Sequence, residues 1–348
     1  MATNSQFTIY TSQDTYGPGP MNGTTGSLIR VLDSCLVTGY TGKPAAGWTK
    51  PLGNISASCV SAYQQPSGSQ FTLFVNDNSV AVTRTAAVTG WTSLVSLAGA
   101  VNANNVGSGS GQFPLPAQAN TYGRAYWYKS ATADTVQRNW IIAADAYTMY
   151  IWFSDGQSVG YYYHGGFGDF YSLAGSSDTG RCLLFGKYAD NTTSIAGYES
   201  TDCVAAGIWN DNSVSSTTYM TGHYLAKNVN GGSSIRYNKK GDNAVSINPI
   251  GANLENSYLV GTNGSMPCPN PYDNNFYIAP IYIFDPTGPQ LRGRYRGIYQ
   301  LCHPMANFTN FQTITGTGKY AGKTFTLIYF GYNGGGWLLE TSPTVETN

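Results

Sequence analysis

Three aspartates in the middle of the chain, Asp145, Asp155 and Asp169, are the residues whose type and spacing best suit chemistry. They accompany Trp152 and a cluster of tyrosines, and paired carboxylates beside sugar-stacking rings are typical of glycoside hydrolysis. The same positions suit a structural role, because Asp155 and Gly156 form a typical hairpin turn and Asp169 ends a strand within GFGDF. Strand and turn propensities favour that second role. We therefore expect the aspartates to be structural.

The other reactive side chains are too dispersed to form an active site. The three histidines, His164, His223 and His303, are far apart in the sequence, and adjacent residues such as Cys302 and His303 point to opposite faces of a strand. The chain has no GxSxG nucleophile motif, and the glycine–serine run at 107–111 has the wrong spacing for one. We expect no catalytic residue, no cofactor and no bound metal.

Composition limits the partners. The chain has 348 residues, a formal net charge of zero and only 10% charged residues. Its longest basic runs, at 239–240 and 292–296, are too short to neutralise a nucleic-acid backbone over several contacts. No apolar run approaches the ~18 residues of a membrane helix, and the N-terminus lacks the features of a signal peptide. We expect cytoplasmic synthesis, no nucleic-acid partner, no membrane span, and buried reduced thiols for the six cysteines.

One short helix is predicted in a chain otherwise built of strands and turns. Over residues 27–37 the apolar side chains follow a helical period, and Gly39 is placed to end the helix. The face that this period defines consists of Leu28, Ile29, Leu32, Cys35 and Leu36. We expect this face to dock on a sheet, with Trp48 covering the end of the helix.

The 42 glycines and 27 tyrosines favour many tight turns between aromatic-rich strands. The predicted strands lie at residues 7–12, 58–63, 71–76, 80–85, 140–143, 148–153, 159–164, 276–284, 324–330 and 337–340. They predict a mostly β, multi-domain, sandwich-like or barrel-like fold. Its parts are an N-terminal α+β domain (1–100), a low-complexity linker (101–120), a central aromatic-rich β domain (121–225) and a C-terminal β domain (226–348).

An ordered set of motifs resembles a family of tailed-bacteriophage virion proteins. The motifs are GSLIRVLDSCLVTGYTGKPAAGWTKPL at 26–52, YWYKS at 126–130, WIIAAD at 140–145, GFGDF at 166–170, CLLFG at 182–186, RGRYRGIYQLCHP at 292–304, AGKTFTLI at 321–328 and WLLETS at 337–342. They span most of the chain in the family's order. The chain departs from the family at residues 296–299, where the resemblance implies a proline–glycine turn, and at the polar Gln300.

The resemblance implies a structural protein of the capsid, neck or tail rather than an enzyme, present in several copies and packed against other virion proteins. Aromatic, charge-poor surfaces suit such subunit contacts. The alternatives are an adhesin that binds a host receptor or host-surface glycan, and a tail-borne polysaccharide hydrolase. The residues expected to serve structure or interfaces are Leu32, Trp48, Trp152, Tyr162, Tyr163, Phe167, Asp169 and Arg294.

Overall fold

The computed structural model describes residues 4–52, 54–55, 59–78, 93–105, 108–113, 125–130, 134–154, 163–187, 221–227, 236–237, 272–285, 290–301, 308–329, 336–342 and 344–345. Over these residues the protein is mostly β, with antiparallel sheets, one short α- and π-helical segment, and 3₁₀ turns at Gly175–Ser177 and Gly318–Tyr320. The fold class predicted from the sequence is confirmed.

The strands are numbered in chain order. The first group is β1 (Asn4–Ser5), β2 (Thr8–Thr11), β3 (Asn54–Ile55), β4 (Val60–Gln64), β5 (Thr72–Asn76), β6 (Ser93–Ala100), β7 (Asn102–Asn105) and β8 (Ser108–Ser110). The second is β9 (Ala125–Ser130), β10 (Trp140–Ala144), β11 (Thr148–Phe153), β12 (Tyr163–Asp169), β13 (Tyr171–Ser172), β14 (Cys182–Lys187), β15 (Thr221–Leu225) and β16 (Arg236–Tyr237). The third is β17 (Ile278–Asp285), β18 (Gln290–Leu301), β19 (Thr313–Thr315), β20 (Thr324–Tyr329), β21 (Gly336–Glu340) and β22 (Thr344–Val345).

A large antiparallel sheet joins the first and second thirds of the chain. Its strand order is β2-β10-β11-β12-β14-β9-β6-β5-β4-β3, with β15 beside β14 and β16 beside β15. β2 pairs with β10, and β6 pairs with β9. Described strands from both sides of the expected boundaries at residues 100 and 121 therefore belong to one sheet.

A second antiparallel sheet comes mainly from the last third, in the order β13-β18-β21-β20-β19, with β17 also paired to β18. The 12-residue β18 runs through residues 296–299, where the phage resemblance implies a turn. Gly297 adopts a positive φ of 59° within this strand. The strand is therefore locally irregular at Gly297, but it continues in the same direction and forms no turn.

Both faces of the large sheet are buried, which explains the nearly unbroken apolar sequences of β10 and β11. Because side chains alternate along a strand, Ile142 and Ile151 enter the core on the helix side, whereas Ile141 and Trp152 enter the core shared with the second sheet. The described residues thus form three layers: the helical segment with its flanking loops, the large sheet, and the second sheet.

The predicted helix is confirmed as a helical segment with two geometries. Residues Ser27–Leu32 form α1, and residues Asp33–Thr38 continue it as a π-helix that ends at Gly39, with φ 70°. The predicted apolar face is buried in the first core. In the π-helical half, the Cys35 carbonyl accepts a hydrogen bond from Ala46 N at 3.0 Å and the Leu36 carbonyl accepts one from Trp48 N at 2.9 Å. These two bonds hold residues 46–48 against the π-helical half of the segment.

The segment predicted as a low-complexity linker or loop, 101–120, contains two short strands where the structure describes it. β7 and β8 pair as a hairpin, and Phe113 is fully buried with its ring stacked on Phe167 at 6.1 Å. Gly99 allows this close packing, because it lies directly beneath the Phe113 ring and has no side chain that would collide with it. The predicted strand at 80–85 and the turn at Asp155 lie outside the described residues.

Candidate functional site

Asp145 lies in the turn between β10 and β11. Its Oδ1 accepts hydrogen bonds from the backbone amides of Tyr147 and Thr148, both at 2.8 Å, and so closes the turn. Its Oδ2 accepts a hydrogen bond from Arg296 Nη2 at 2.8 Å, and both side chains are almost completely buried. Burial lowers the pKa of Arg296, but attraction to Asp145 and Tyr171 outweighs burial and raises it. The pair ties a turn of the large sheet to β18 of the second sheet.

Asp169 ends β12 and is equally enclosed. Oδ1 accepts from Gln65 Nε2 at 3.1 Å, and Oδ2 accepts from Ser69 N at 3.0 Å and from Arg181 Nε at 3.1 Å. Burial raises the pKa of this carboxyl, and the hydrogen bond from Gln65 and the charge of Arg181 only partly oppose the effect. Gly68, with φ 74°, lies against the carboxylate where any side chain would collide with it. The carboxylate therefore connects the loop at 65–69 to β12.

Asp178 forms a third carboxylate–arginine contact, and the sequence analysis did not predict a role for it. Its Oδ2 accepts from Arg292 Nε at 2.8 Å and its Oδ1 from Arg292 Nη2 at 2.7 Å, a two-point contact. Burial alone would raise the pKa of Asp178, but hydrogen bonds from Arg292 and Ser172 outweigh it and hold the pKa below the usual value. Arg292 also donates to the Lys227 carbonyl at 2.7 Å.

The arginines at 292, 294 and 296 alternate along β18 and stack on aromatic rings. The Arg296 guanidinium carbon lies 4.4 Å from the Tyr147 ring centroid and 4.8 Å from that of Tyr171. Arg294, which is half-buried, lies 5.1 Å from the same Tyr171 ring, so one ring contacts two guanidinium groups. Stacked guanidinium groups with carboxylate partners form a rigid, specific contact. We call Asp145, Asp169 and Asp178, together with these three arginines and Arg181, which contacts Asp169, the brace cluster.

The brace cluster is poorly suited to hydrolysis. Retaining and inverting glycosidases need one carboxyl to protonate the leaving group and a second that reaches the sugar or a water. A raised carboxyl pKa, as at Asp169, is a property of general acids. However, each oxygen of Asp145 and Asp169 already accepts a hydrogen bond from the protein, and both side chains are only 3% exposed. Their geometry is that of structural links.

The other predicted site residues are core residues where the structure describes them. Leu32 is fully buried in the helix face, and Trp48 donates from Nε1 to the Asp145 carbonyl at 2.7 Å. Trp152 is fully buried with its ring 5.8 Å from Trp337, so it offers no ring to a sugar. Phe167 lies between Trp48 and Phe113. Tyr162 lies outside the described residues, as does the side chain of Tyr163, which begins β12.

Sequence reasoning missed a buried ion pair as well as Asp178. Lys129 on β9 contacts Asp77, which follows β5, and neither side chain is exposed. In the sequence, Asp77 stands between Asn76 and Asn78, residues typical of turns, and this context gives no sign of a buried ion pair. The signal available in the sequence was the lone lysine in the aromatic strand AYWYKS of β9.

Among the residues that the structure describes, no group of three histidine, cysteine, aspartate or glutamate side chains converges. The thiols of Cys35 and Cys182 are buried, and burial raises the pKa of both. Within the same part of the chain, no helix has the length and apolar character needed to cross a bilayer.

No protein-family model matches the chain, and no curated protein is significantly similar to it.

Proposed function

We propose that the protein is a structural component of a tailed-phage virion, in the capsid, neck or tail, and that it acts by packing against other subunits. The observation that supports the proposal is the brace cluster. Asp145, Asp169 and Asp178 direct their charge to internal partners and fasten loops and sheets together. A scaffold needs such internal links, whereas a hydrolase needs carboxylates that face a substrate.

The motif resemblance to tailed-phage virion proteins is a second line of support. The low charge and aromatic composition fit a protein that buries much of its surface against neighbours. Several side chains already suit such contacts, since Leu173 is 70% exposed and Leu291, on β18, is 40% exposed.

The decisive experiment is to purify particles by density gradient and quantify the chain by mass spectrometry relative to the major capsid protein. We expect a fixed number of copies per particle, and antibody labelling at one location. Particles made with a nonsense codon in the gene are the control, and they should lack a part or fail to assemble. Complete absence of the chain from infectious particles would contradict the proposal.

Glycan-binding adhesion is a second candidate, supported by exposed rings at the approach to β17. Tyr272 is 95% exposed, and Tyr277 and Phe276 are 42% and 41% exposed. Aromatic rings at a loop held by a β scaffold suit sugar stacking. Tyr272→Ala and Tyr277→Ala particles should then assemble normally but adsorb poorly to host cells. Tyr16→Ala, at a 67% exposed site elsewhere, serves as control.

A further inference from the structure

The ion pair between Lys129 and Asp77 has an unusual environment. Both side chains are 0% exposed, and Lys129 Nζ contacts Asp77 Oδ1 while also donating to the Thr24 carbonyl at 2.7 Å. Two opposite charges removed from water pay a large desolvation penalty, which their attraction only partly offsets. A covalent product without charge would remove that penalty.

The two oxygens of the Asp77 carboxyl have different partners. Oδ2 accepts a hydrogen bond from Leu28 N at 2.8 Å, at the start of α1, while Oδ1 faces the lysine amine. A backbone N–H aimed at one oxygen stabilises the negative charge that develops there when a nucleophile adds to the carbon. The other oxygen is then the leaving group.

Burial also favours the reactive protonation states. It raises the pKa of Asp77 and lowers the pKa of Lys129, and in each case the attraction between the two groups opposes the effect without cancelling it. Both shifts favour neutral forms. A neutral amine carries the free electron pair needed for attack, and a neutral carboxylic acid loses hydroxide as water more readily than a carboxylate does.

We propose that Lys129 and Asp77 form an intramolecular isopeptide bond. The Nζ electron pair attacks Asp77 Cγ and forms the C–N bond, and the charge on Oδ2 is stabilised by Leu28 N–H. A proton passes from Nζ to the Oδ1 hydroxyl, the Cγ–Oδ1 bond breaks, and one water molecule leaves. The reaction needs no oxidant, reductant or other reactant.

The product fits the hydrogen bonds already present. The new amide keeps one N–H, which donates to the Thr24 carbonyl in place of the amine, and Oδ2 becomes the amide oxygen that accepts from Leu28 N. The bond would link β5 to β9 across β6, and would fix the start of the helix to the sheet. It would close a loop between positions separated by 52 residues, which restricts the unfolded chain.

Intact-mass measurement of the denatured full chain tests the proposal. We expect the wild-type chain to be lighter than its sequence by one water, and protease fragments to include a branched peptide that joins Asp77 to Lys129. Lys129→Arg keeps the positive charge but lacks the amine, so this variant should have the full sequence mass. The wild-type result is decisive even if that variant folds poorly.

A matched control lies elsewhere in the same chain. Lys50 Nζ is 2.7 Å from Asp33 Oδ1, but the two side chains are 13% and 29% exposed, so this pair should stay unlinked. A wild-type mass equal to the sequence would overturn the proposal. A water loss that maps to another position, such as a cyclised Asp155–Gly156, would also overturn it.

Discussion

Asp145 and Arg296 are 151 positions apart in the sequence, yet their side chains meet at 2.8 Å inside the protein. At the scale of residues, this contact shows how the brace cluster works: a turn residue of one sheet holds a strand residue of the other. Removal of one partner leaves the other charge buried and uncompensated, which is more damaging than loss of the whole pair.

We therefore expect Asp145→Asn to lower the free energy of unfolding by about 3 to 5 kcal/mol. Denaturant titration followed by fluorescence measures the loss. The double variant Asp145→Asn, Arg296→Met should recover much of it, because no buried charge remains. Asp134→Asn is the control, since Asp134 is 34% exposed in its pair with Arg138, and its loss should stay below about 1 kcal/mol. Equal losses for Asp145→Asn and Asp134→Asn would contradict the assigned role.

Asp178 should make stability depend on acid pH. Its pKa in the folded protein is held below the usual value, so its contribution is present above the ordinary carboxyl pKa and is lost as pH falls through the lowered folded-state pKa. Asp178→Asn should flatten the decrease in unfolding free energy below about pH 4. Denaturant titrations at several pH values measure this slope. An unchanged slope would show that Asp178 gains nothing from its contact with Arg292.

At the scale of elements, the docking of the helical segment is the clearest feature to test. Leu32 is fully buried against the large sheet. Leu32→Ala should lower the free energy of unfolding by about 2 to 5 kcal/mol, because it removes buried methyl groups and leaves a cavity. Thr38→Ala, at an exposed position of the same segment, should change stability by less than about 0.5 kcal/mol. Similar small changes in both variants would mean that the helix does not dock.

Gly297 gives a second test, of the irregularity in β18. Its φ is 59°, and a Cβ there would lie 2.5 Å from Phe7 Cε2. Gly297→Ala therefore meets both backbone strain and a collision, and we expect a loss of about 1 to 3 kcal/mol. Gly318, with φ 57° and open space around it, separates the two effects, because Gly318→Ala meets only the strain. The double variant Gly297→Ala, Phe7→Ala should lose less stability than the sum of the two single losses, because removal of the Phe7 ring also removes the collision.

The elements were more predictable than their partners. Helical periodicity located residues 27–37, and runs of aromatic and branched residues located β10 and β11, because these signals are local. The same signals contain nothing about which distant strand lies alongside, so the pairing of β2 with β10 was not predictable. The role of Asp77 was not predictable for the same reason, because its partners Leu28 and Lys129 are 49 and 52 positions away. The brace cluster likewise depends on contacts across the chain.

At the scale of the whole molecule, the two sheets and the helical layer leave apolar side chains on the surface. Leu173 and Leu291 are both exposed, and the backbone of Leu173 lies beside β18, since Leu173 N donates to the Arg292 carbonyl at 2.9 Å. With only 10% charged residues, little electrostatic repulsion opposes association of such surfaces.

We therefore expect the purified chain to form oligomers, with symmetric copies as in most assemblies of one chain. Light scattering after size-exclusion chromatography measures the mass over a range of concentrations. Leu173→Lys should shift the distribution towards smaller species while leaving the melting temperature nearly unchanged. A wild-type chain that remains monomeric at all concentrations, and is missing from particles, would contradict the expectation.

Trp152 and Trp337 give this architecture an optical consequence. One ring belongs to the large sheet and the other to the second sheet, and their centroids lie 5.8 Å apart at an interplanar angle of 72°. Indole rings so close and so inclined couple their electronic transitions, which produces a paired positive and negative band in circular dichroism. The band depends on the two sheets staying together. It therefore reports the separation of the sheets during unfolding without any added label.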